Sequence, residues 1–261
     1  MSTVLFYYLL LLFGLITMLL DGWGWVAWGT YLIAMPAGAL AVRYGVLRSR
    51  PTLARPPWYG ALRRAALMAA LAATFVLALF AMLTAMGWVT VDRHSVSIRS
   101  LLVSVLGPQL LVATWEELTF RGALQPIVIA RLGKVQGLAI ASVLFGLFHL
   151  PNMFYHDVPV ALIPQTVIAL TMMGAVFGVA TLRENGHLAV PIALHFGWNS
   201  ACFGVEEIFV YHFTGPQWLV GTPAWFPESG LLGLLTLVIL AVALQRLQPS
   251  SSLTPSDRER P

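Results

Sequence analysis

The sequence contains few charged residues and a single cysteine. Charged side chains make up 10% of its 261 residues, against about 25% in a typical soluble domain. Apolar residues make up 58% of the chain, and they form runs of about twenty residues, long enough to cross a bilayer as helices. This composition excludes an ordinary soluble domain and predicts an all-α, polytopic transmembrane helical bundle. The lone Cys202 excludes an intramolecular disulfide.

Three familiar kinds of catalytic signature are absent as well. The chain has no G-x-S-x-G of serine hydrolases and no H-E-x-x-H of helical metalloproteases. None of its four aspartates lies well inside an apolar run, which argues against a pair of catalytic aspartates in the membrane. Basic residues do occur, but they cluster in connectors between apolar runs, so nothing in the sequence predicts nucleic-acid binding.

The apolar runs predict about eight spans, which place both termini on the same side of the membrane. If the N-terminus lies inside, the inner connectors and the tail hold 12 of the 15 basic residues, as the positive-inside rule requires. We therefore predict an integral protein of a bacterial inner membrane, with both termini cytoplasmic and the first span retained. The spans are predicted at residues 4–20, 25–42, 65–88, 100–130, 135–150, 160–182, 188–210 and 230–244.

Polar residues inside the predicted spans are few, and three of them lie together. Glu116, Glu117 and Arg121 interrupt a run that is otherwise apolar from residue 101 to residue 130. Each would cost about 2.5–3.5 kcal/mol at the centre of a bilayer, so such residues are functional candidates by default. Glu117 and Arg121 are four positions apart and can pair on one helix face. Glu116 is rotated from Glu117 by about 100° and can point elsewhere.

Two later spans carry further polar groups. His149 lies near the end of the fifth span, and His195 and Asn199, four positions apart, share a face of the seventh. Together with Glu116 they suit a proton relay in a transporter, a carboxylate–histidine metal site or a hydrolase. For hydrolysis, a carboxylate shielded from bulk water can act as general base on a bound water molecule. Histidine and asparagine donors can then stabilise the oxyanion.

These polar residues form three motifs on successive predicted helices. In chain order they are Glu-Glu-x-x-x-Arg from Glu116, Phe-x-x-x-His ending at His149, and His-x-x-x-Asn from His195. The combination resembles the motifs of the CPBP family, which includes the CAAX prenyl endopeptidases and the bacteriocin-processing and immunity (Abi) proteins. The resemblance covers residues 109–202, and the remaining spans match by hydropathy alone.

The resemblance implies a glutamate-dependent intramembrane endopeptidase, embedded in the lipid bilayer, that hydrolyses a peptide bond of a membrane-associated protein or peptide at or near the membrane surface. It implies that Glu116 activates water together with His149, and that His195 and Asn199 stabilise the tetrahedral oxyanion. Glu117, paired with its arginine, would support the site. No metal cofactor is expected, and zinc stays an alternative because glutamate and histidine are both zinc ligands.

Three alternatives to this function stay open. The same residues could serve a metal-dependent protease, the scaffold could belong to a non-proteolytic immunity or scaffold protein, or the chain could be a proton-coupled transporter. A transporter fits less well, because the polar residues cluster instead of forming a path and no broken helices occur in two matching halves. The sequence carries no signal for the identity of the substrate, the residues that bind it or the oligomeric state.

The chain divides into three parts on this basis. Residues 1–100 hold the N-terminal spans and a basic cytoplasmic loop, residues 101–210 the CPBP-like catalytic core, and residues 211–261 the last span and a tail expected to be disordered. The basic loop is predicted at residues 43–64 and a second polar loop at residues 89–99.

A second glutamate pair and four histidines are predicted to lie apart from the catalytic residues. Glu206 and Glu207 fall near the end of the seventh span, with no arginine four residues on, and are predicted at the membrane interface. The four histidines fall in predicted loops and are expected to be solvated: His94, His156, His187 and His212.

Overall fold

The computed structural model describes residues 58–93 and 96–247, together with positions 37, 40 and 44. The first two predicted spans, most of the basic loop and the C-terminal tail therefore lie outside the described residues, except for those isolated positions. Within the described part the chain is mostly helical. Its elements are α1 (Trp58–Ala85), β1 (Val89–Arg93), α2 (Ile98–Leu132), α3 (Lys134–Phe148), α4 (Leu150–Tyr155), α5 (Ile163–Arg183), α6 (Ala189–Ile208), β2 (Phe209–Phe213), α7 (Gln217–Val220) and α8 (Leu231–Leu247), with 3₁₀ turns at Val160–Leu162 and Pro223–Trp225.

Four helical stretches of the described chain are long and apolar enough to cross a membrane. They are Gly60–Ala85, Ile98–Leu132, Lys134–Tyr155 and Val160–Arg183, and they correspond to the third to sixth predicted spans. Helix α8 is equally apolar but has 17 residues. The helical membrane class is therefore confirmed, and the count of about eight spans stays a prediction.

Helix α2 departs from a regular α-helix in two places. It is π-helical at Leu101–Leu106 and again at Leu118–Leu124, with α-helix between them at Gly107–Glu117. The second π-segment begins directly after Glu117 and contains Arg121. Such wide turns are rare in proteins and occur frequently at functional sites.

Close helix packing brings the polar residues of different spans together. Helix α6 packs along α1 and against the Gly107–Glu117 segment of α2, while α5 packs between α3 and α8. A Cβ on Gly197 of α6 would lie 2.1 Å from the carbonyl oxygen of Ala69 in α1, so the two helices meet backbone to backbone. In α5, a Cβ on Gly174 would lie 3.1 Å from Ser142 of α3 and one on Gly178 2.5 Å from Leu138. Small residues at such contacts let membrane helices approach closely.

The prediction of a polar loop at residues 89–99 is wrong at residues 89–93, where a short strand joins the mostly helical bundle. Val89–Arg93 is strand β1, which pairs with β2 antiparallel, Val91 opposite Tyr211. Alternating β-branched and aromatic residues favour strands in both segments, and the buried side chains of Val89 and Tyr211 pack on the helical core. These two strands were not predicted because each has only five residues, far fewer than the apolar runs that dominate the sequence.

Helix α1 also begins earlier than predicted. Arg63 and Arg64 were assigned to the basic loop, but both lie in the first turns of α1, which starts at Trp58. The Arg64 guanidinium lies 3.2 Å from the Glu184 carboxylate, which ties the start of α1 to the end of α5. An amphipathic arginine stem can cover apolar helix surface while its charge stays in water, so arginine alone does not mark a helix boundary.

The connectors define two ends of the bundle. The sheet end carries β1, β2 and residues 214–230, and α4 lies there too. The basic end carries the connectors at residues 131–134 and 183–188. Because α2, α3, α5, α6 and α8 alternate in direction between these connectors, each helix has one terminus at each end.

Candidate functional site

Glu116 lies against the two histidines that the sequence analysis selected. Its Oε2 is 3.7 Å from Nε2 of His149 and 3.8 Å from Nε2 of His195. Glu116 and His195 are buried, at 4% and 3% exposure, and His149 is partly exposed at the end of α3. Three helices therefore bring one carboxylate and two imidazoles to a common point, as predicted.

Hydrogen bonds to the far side of each imidazole ring fix its orientation. Nδ1 of His149 lies 2.8 Å from the carbonyl oxygen of Phe145, and Nδ1 of His195 lies 3.0 Å from Oε1 of Glu117. Since a carbonyl oxygen and a carboxylate oxygen only accept hydrogen bonds, each Nδ1 donates its proton. In the neutral ring Nε2 then presents a lone pair, so both histidines direct an acceptor toward Glu116.

The Phe-x-x-x-His spacing has a direct structural role. Phe145 and His149 are one helical turn apart, so the Phe145 carbonyl, released at the C-terminus of α3, can accept from the imidazole. The Phe145 ring also contacts both histidines, with ring centroids 4.8 Å from His149 and 6.1 Å from His195. The ring of Phe177 stacks on His195 at 5.1 Å.

Glu117 and Arg121 form the buried ion pair that their spacing predicts. Nη1 of Arg121 lies 2.9 Å from Oε1 of Glu117, and Nη2 donates to the carbonyl oxygen of Gly174 at 3.1 Å. The guanidinium carbon lies 4.2 Å from the centroid of the Phe145 ring, a cation–π contact. Glu117 is fully buried, so these contacts compensate a charge that water does not reach.

Asn199 lies one helical turn after His195 and faces the same cavity. Its Nδ2 donates to Oε1 of Gln109 at 3.2 Å. Gln109 is 7% exposed and lies on α2. Sequence reasoning missed this glutamine, although a buried amide two turns before Glu116 in an apolar helix is a signal of the same kind.

A cavity of about 580 Å³ extends from these residues toward the sheet end. Glu116, His149, His195 and Asn199 all line it, and most of the remaining wall is apolar or aromatic. The other lining residues that carry polar groups are Gln109, Asn152, His156, Cys202, Glu206, Trp225 and Glu228.

Glu206 and His156 also border the cavity, which the sequence analysis did not predict. Glu206 was predicted to lie at the membrane interface, and His156 in a solvated loop. Glu206 lines the cavity and accepts a hydrogen bond from the Tyr211 hydroxyl at 3.4 Å, whereas its neighbour Glu207 lies outside the lining and accepts from Ser100. His156 is exposed, as predicted, yet lies on the cavity rim.

Glu228, which sequence reasoning missed, is the second acid at the sheet end of the cavity. It is 8% exposed, and its Oε1 accepts from Nε1 of Trp198 at 2.5 Å. Burial raises the pKa of the Glu228 carboxyl from its usual 4.5 to about 6, and the Trp198 hydrogen bond opposes that shift. Burial likewise raises the pKa of the Tyr211 hydroxyl well above its usual range. A single glutamate in a connector carries no sequence signal for such a position.

The donor set at Glu116 has the chemical types of a zinc site. Two imidazole nitrogens and one carboxylate oxygen are proper zinc ligands. Among the described residues, however, no group of three or more histidine, cysteine or acidic side chains has the arrangement of a metal site. The residues thus match zinc in chemical type, and the geometry described for them does not match a metal centre.

Fold and site together define a helical membrane protein with a carboxylate–histidine centre in a cavity among its spans. Comparison with protein families agrees with this class. Residues 96–201 match the family described as Type II CAAX prenyl endopeptidase Rce1-like, and this match supports membership of the CPBP family, a family of proteases. The matched segment contains Glu116, Glu117, His149, His195 and Asn199. A search among curated proteins found no match to the chain.

Proposed function

We propose that the protein is an intramembrane endopeptidase in which Glu116 acts as general base on a water molecule. The observation that carries the proposal is the position of Glu116 between Nε2 of His149 and Nε2 of His195, at 3.7 and 3.8 Å. Both gaps exceed a hydrogen bond, so a water molecule can lie against the carboxylate and the two rings. The site opens into a cavity large enough for a peptide segment.

These contacts support the following hydrolytic step. Glu116, assisted by His149, takes a proton from the water molecule as its oxygen attacks the carbonyl carbon of the scissile bond. The tetrahedral intermediate then breaks at the C–N bond, and Glu116 returns the proton to the leaving amine. His149 keeps its Nδ1–H on the Phe145 carbonyl throughout, so only Nε2 takes part in proton transfer.

Two donors are available for the oxyanion. The Asn199 amide has two N–H groups, of which one is bonded to Gln109, and the second can reach into the cavity. His195 can donate from Nε2 when both of its ring nitrogens carry protons, because Nδ1–H then stays on Glu117. The oxyanion would balance the charge of that imidazolium, since the charge of Glu117 is already paired with Arg121. Preorganised donors of this kind contribute about 10²–10³ in rate each.

The substrate is proposed to be a membrane-associated peptide or protein. An apolar, aromatic cavity among helices suits a hydrophobic segment, and the matched family is described by its CAAX prenyl endopeptidase activity. Prenylated C-terminal motifs, leader peptides and C-terminal sorting tails are all compatible with it.

The test is cleavage of reporter peptides by the purified full chain in lipid nanodiscs. Glu116→Gln and His149→Ala should each lose about 10²–10⁴ in rate. Glu207→Gln is the matched control, since Glu207 lies on α6 outside the cavity lining, and it should retain full activity. Cleavage that survives in Glu116→Gln refutes the general-base role.

A chelator arm separates the glutamate mechanism from the metal-dependent alternative. We expect full activity in the presence of chelator, and activity lost with chelator and restored by zinc would establish a metallopeptidase on the same residues. If the wild-type protein cleaves no peptide of any of the three substrate types, the proton-coupled transporter or immunity protein replaces the protease.

A further inference from the structure

The cavity extends from the sheet end to the middle of the bundle, where Glu116 and His195 lie. Its lining comes from residues 108–116 of α2, the end of α3, α4, residues 170–173 of α5, residues 195–206 of α6 and the connector before α8. Its rim includes exposed residues of that end, His156 and Ala224. No lining residue comes from residues 117–144 or 174–194 of the described chain, so the cavity stops short of the basic end.

The charged residues of the described chain divide sharply between the two ends. Three of them, Glu116, Glu117 and Arg121, lie in the core. The basic end holds six basic residues and one acid, namely Arg63, Arg64, Arg131, Lys134, Arg183, Arg246 and Glu184. The sheet end holds two basic residues and five acids, namely Arg93, Arg99, Asp92, Asp157, Glu206, Glu207 and Glu228.

The lysine and arginine bias sets membrane orientation. Connectors rich in these residues stay on the cytoplasmic side, and the bias is effective in short loops close to the spans, as at residues 131–134 and 183–188. Acidic residues contribute little to the rule, but six basic residues against two are enough to assign the ends. In the sequence, four further arginines at residues 43–57 precede α1, whose start lies at the basic end.

We infer that the cavity opens on the non-cytoplasmic face of the membrane. Resting on the proposed function, this assigns a substrate class: a membrane-anchored polypeptide whose scissile bond lies in the juxtamembrane segment outside the cytoplasm. A polypeptide that exists only at the cytoplasmic surface would meet the basic end, where the cavity does not reach.

Cysteine accessibility in the full chain tests the orientation without requiring activity. Cys202, the one native cysteine, is replaced by alanine, and single cysteines are then introduced at exposed positions of each end. Trp218→Cys and Thr90→Cys report on the sheet end; Val135→Cys and Leu132→Cys report on the basic end. Trp218 and Val135 form the matched pair, because both are apolar and well exposed, at 57% and 82%.

Intact spheroplasts that express each variant are treated with a membrane-impermeant maleimide before and after lysis. We expect the sheet-end cysteines to be labelled to the same extent before and after lysis, and the basic-end cysteines to be labelled at least tenfold more after lysis. The reverse pattern, or labelling of both ends without lysis, overturns the inference.

Sidedness of cleavage links the orientation to the site. A soluble reporter peptide that the purified protein cleaves is added to right-side-out and to inverted membrane vesicles, with Glu116→Gln vesicles as the blank. Cleavage should occur in right-side-out vesicles and drop to the blank level in inverted ones. If the inverted vesicles cleave instead, the inferred orientation is wrong but the proposed peptidase activity stands. If the labelling confirms the orientation and the purified protein cleaves no peptide, the proposed peptidase activity is wrong and the orientation stands.

Discussion

Removing the arginine of the buried ion pair should destabilise the protein far more than removing both partners. Arg121→Met keeps an unbranched side chain that can pack among the aromatic rings, but it leaves the Glu117 carboxylate buried without its guanidinium. Glu117→Gln removes the negative charge but keeps an oxygen that can accept a hydrogen bond from Nδ1 of His195, which lies 3.0 Å from Oε1 of Glu117. The double variant therefore has a neutral core.

The magnitude follows from the burial of both groups. Glu117 is 0% and Arg121 2% exposed in their side chains, with a separation of 2.9 Å. Breaking such a pair at one partner costs about 3–5 kcal/mol, whereas replacing both is often close to neutral. The Gly174 carbonyl also loses a donor in both arginine variants, at about 1 kcal/mol. We expect the double variant to be more stable than Arg121→Met by about 2–4 kcal/mol.

The assay is reversible unfolding of the purified chain in mixed micelles, with a double-mutant cycle for this pair. The matched control is the cycle for Arg64→Met and Glu184→Gln, an ion pair of the same chain at 3.2 Å whose arginine is 46% exposed. Its coupling energy should not exceed about 1 kcal/mol. Equal coupling energies for the two pairs, or a double variant no more stable than Arg121→Met, would refute the assignment of a compensated buried charge.

Two further predictions concern helix packing and the sheet-end acid. Gly197→Ala should lower the free energy of unfolding by about 1–3 kcal/mol, because the new Cβ would meet the backbone of Ala69. The control is Gly204→Ala in the same helix, where a Cβ would enter open space. Its free energy of unfolding should be unchanged or slightly raised. Since the pKa of Glu228 is raised to about 6, its protonated form is favoured by folding, and the stability that this contributes is lost as pH rises from about 4.5 through 6. Glu228→Gln should remove about 2 kcal/mol of the pH dependence of the unfolding free energy. Trp198→Phe should shift that pH dependence to higher pH, because it removes the hydrogen bond that lowers the pKa of Glu228. An unchanged pH dependence in Glu228→Gln would exclude this carboxyl as its source.

The parts of the site that could be predicted are those encoded by short helical spacings. The Glu117–Arg121 pair and the Phe145–His149 hydrogen bond each join residues four apart on one helix. Few polar residues occur inside the apolar spans, and this scarcity indicated that those present serve a common site. The convergence of three helices on Glu116 could be expected for the same reason, because polar groups inside a membrane are costly and usually pair with one another.

The parts that could not be predicted depend on contacts between distant segments. Glu228 reaches the cavity only because the connector before α8 folds back on α6, where Trp198 donates to it. The strands β1 and β2 are more than a hundred residues apart in sequence, and neither is stable without the other. Local patterns of hydropathy contain no information about either pairing, whereas they suffice for helices, whose hydrogen bonds lie within one segment.

The two adjacent glutamates of α2 have different surroundings, and one imidazole lies between them. His195 binds Glu117 through Nδ1 at 3.0 Å and presents Nε2 to Glu116 at 3.8 Å. Glu117 is held in turn by Arg121, which is bonded to the α5 backbone. The ion pair therefore anchors the ring that faces Glu116, the base of the proposed mechanism, and it does so from the side that does not line the cavity. Glu117 is thus held by an ion pair away from the cavity, whereas Glu116 lines the cavity, where the proposed mechanism requires its carboxylate to exchange a proton with water.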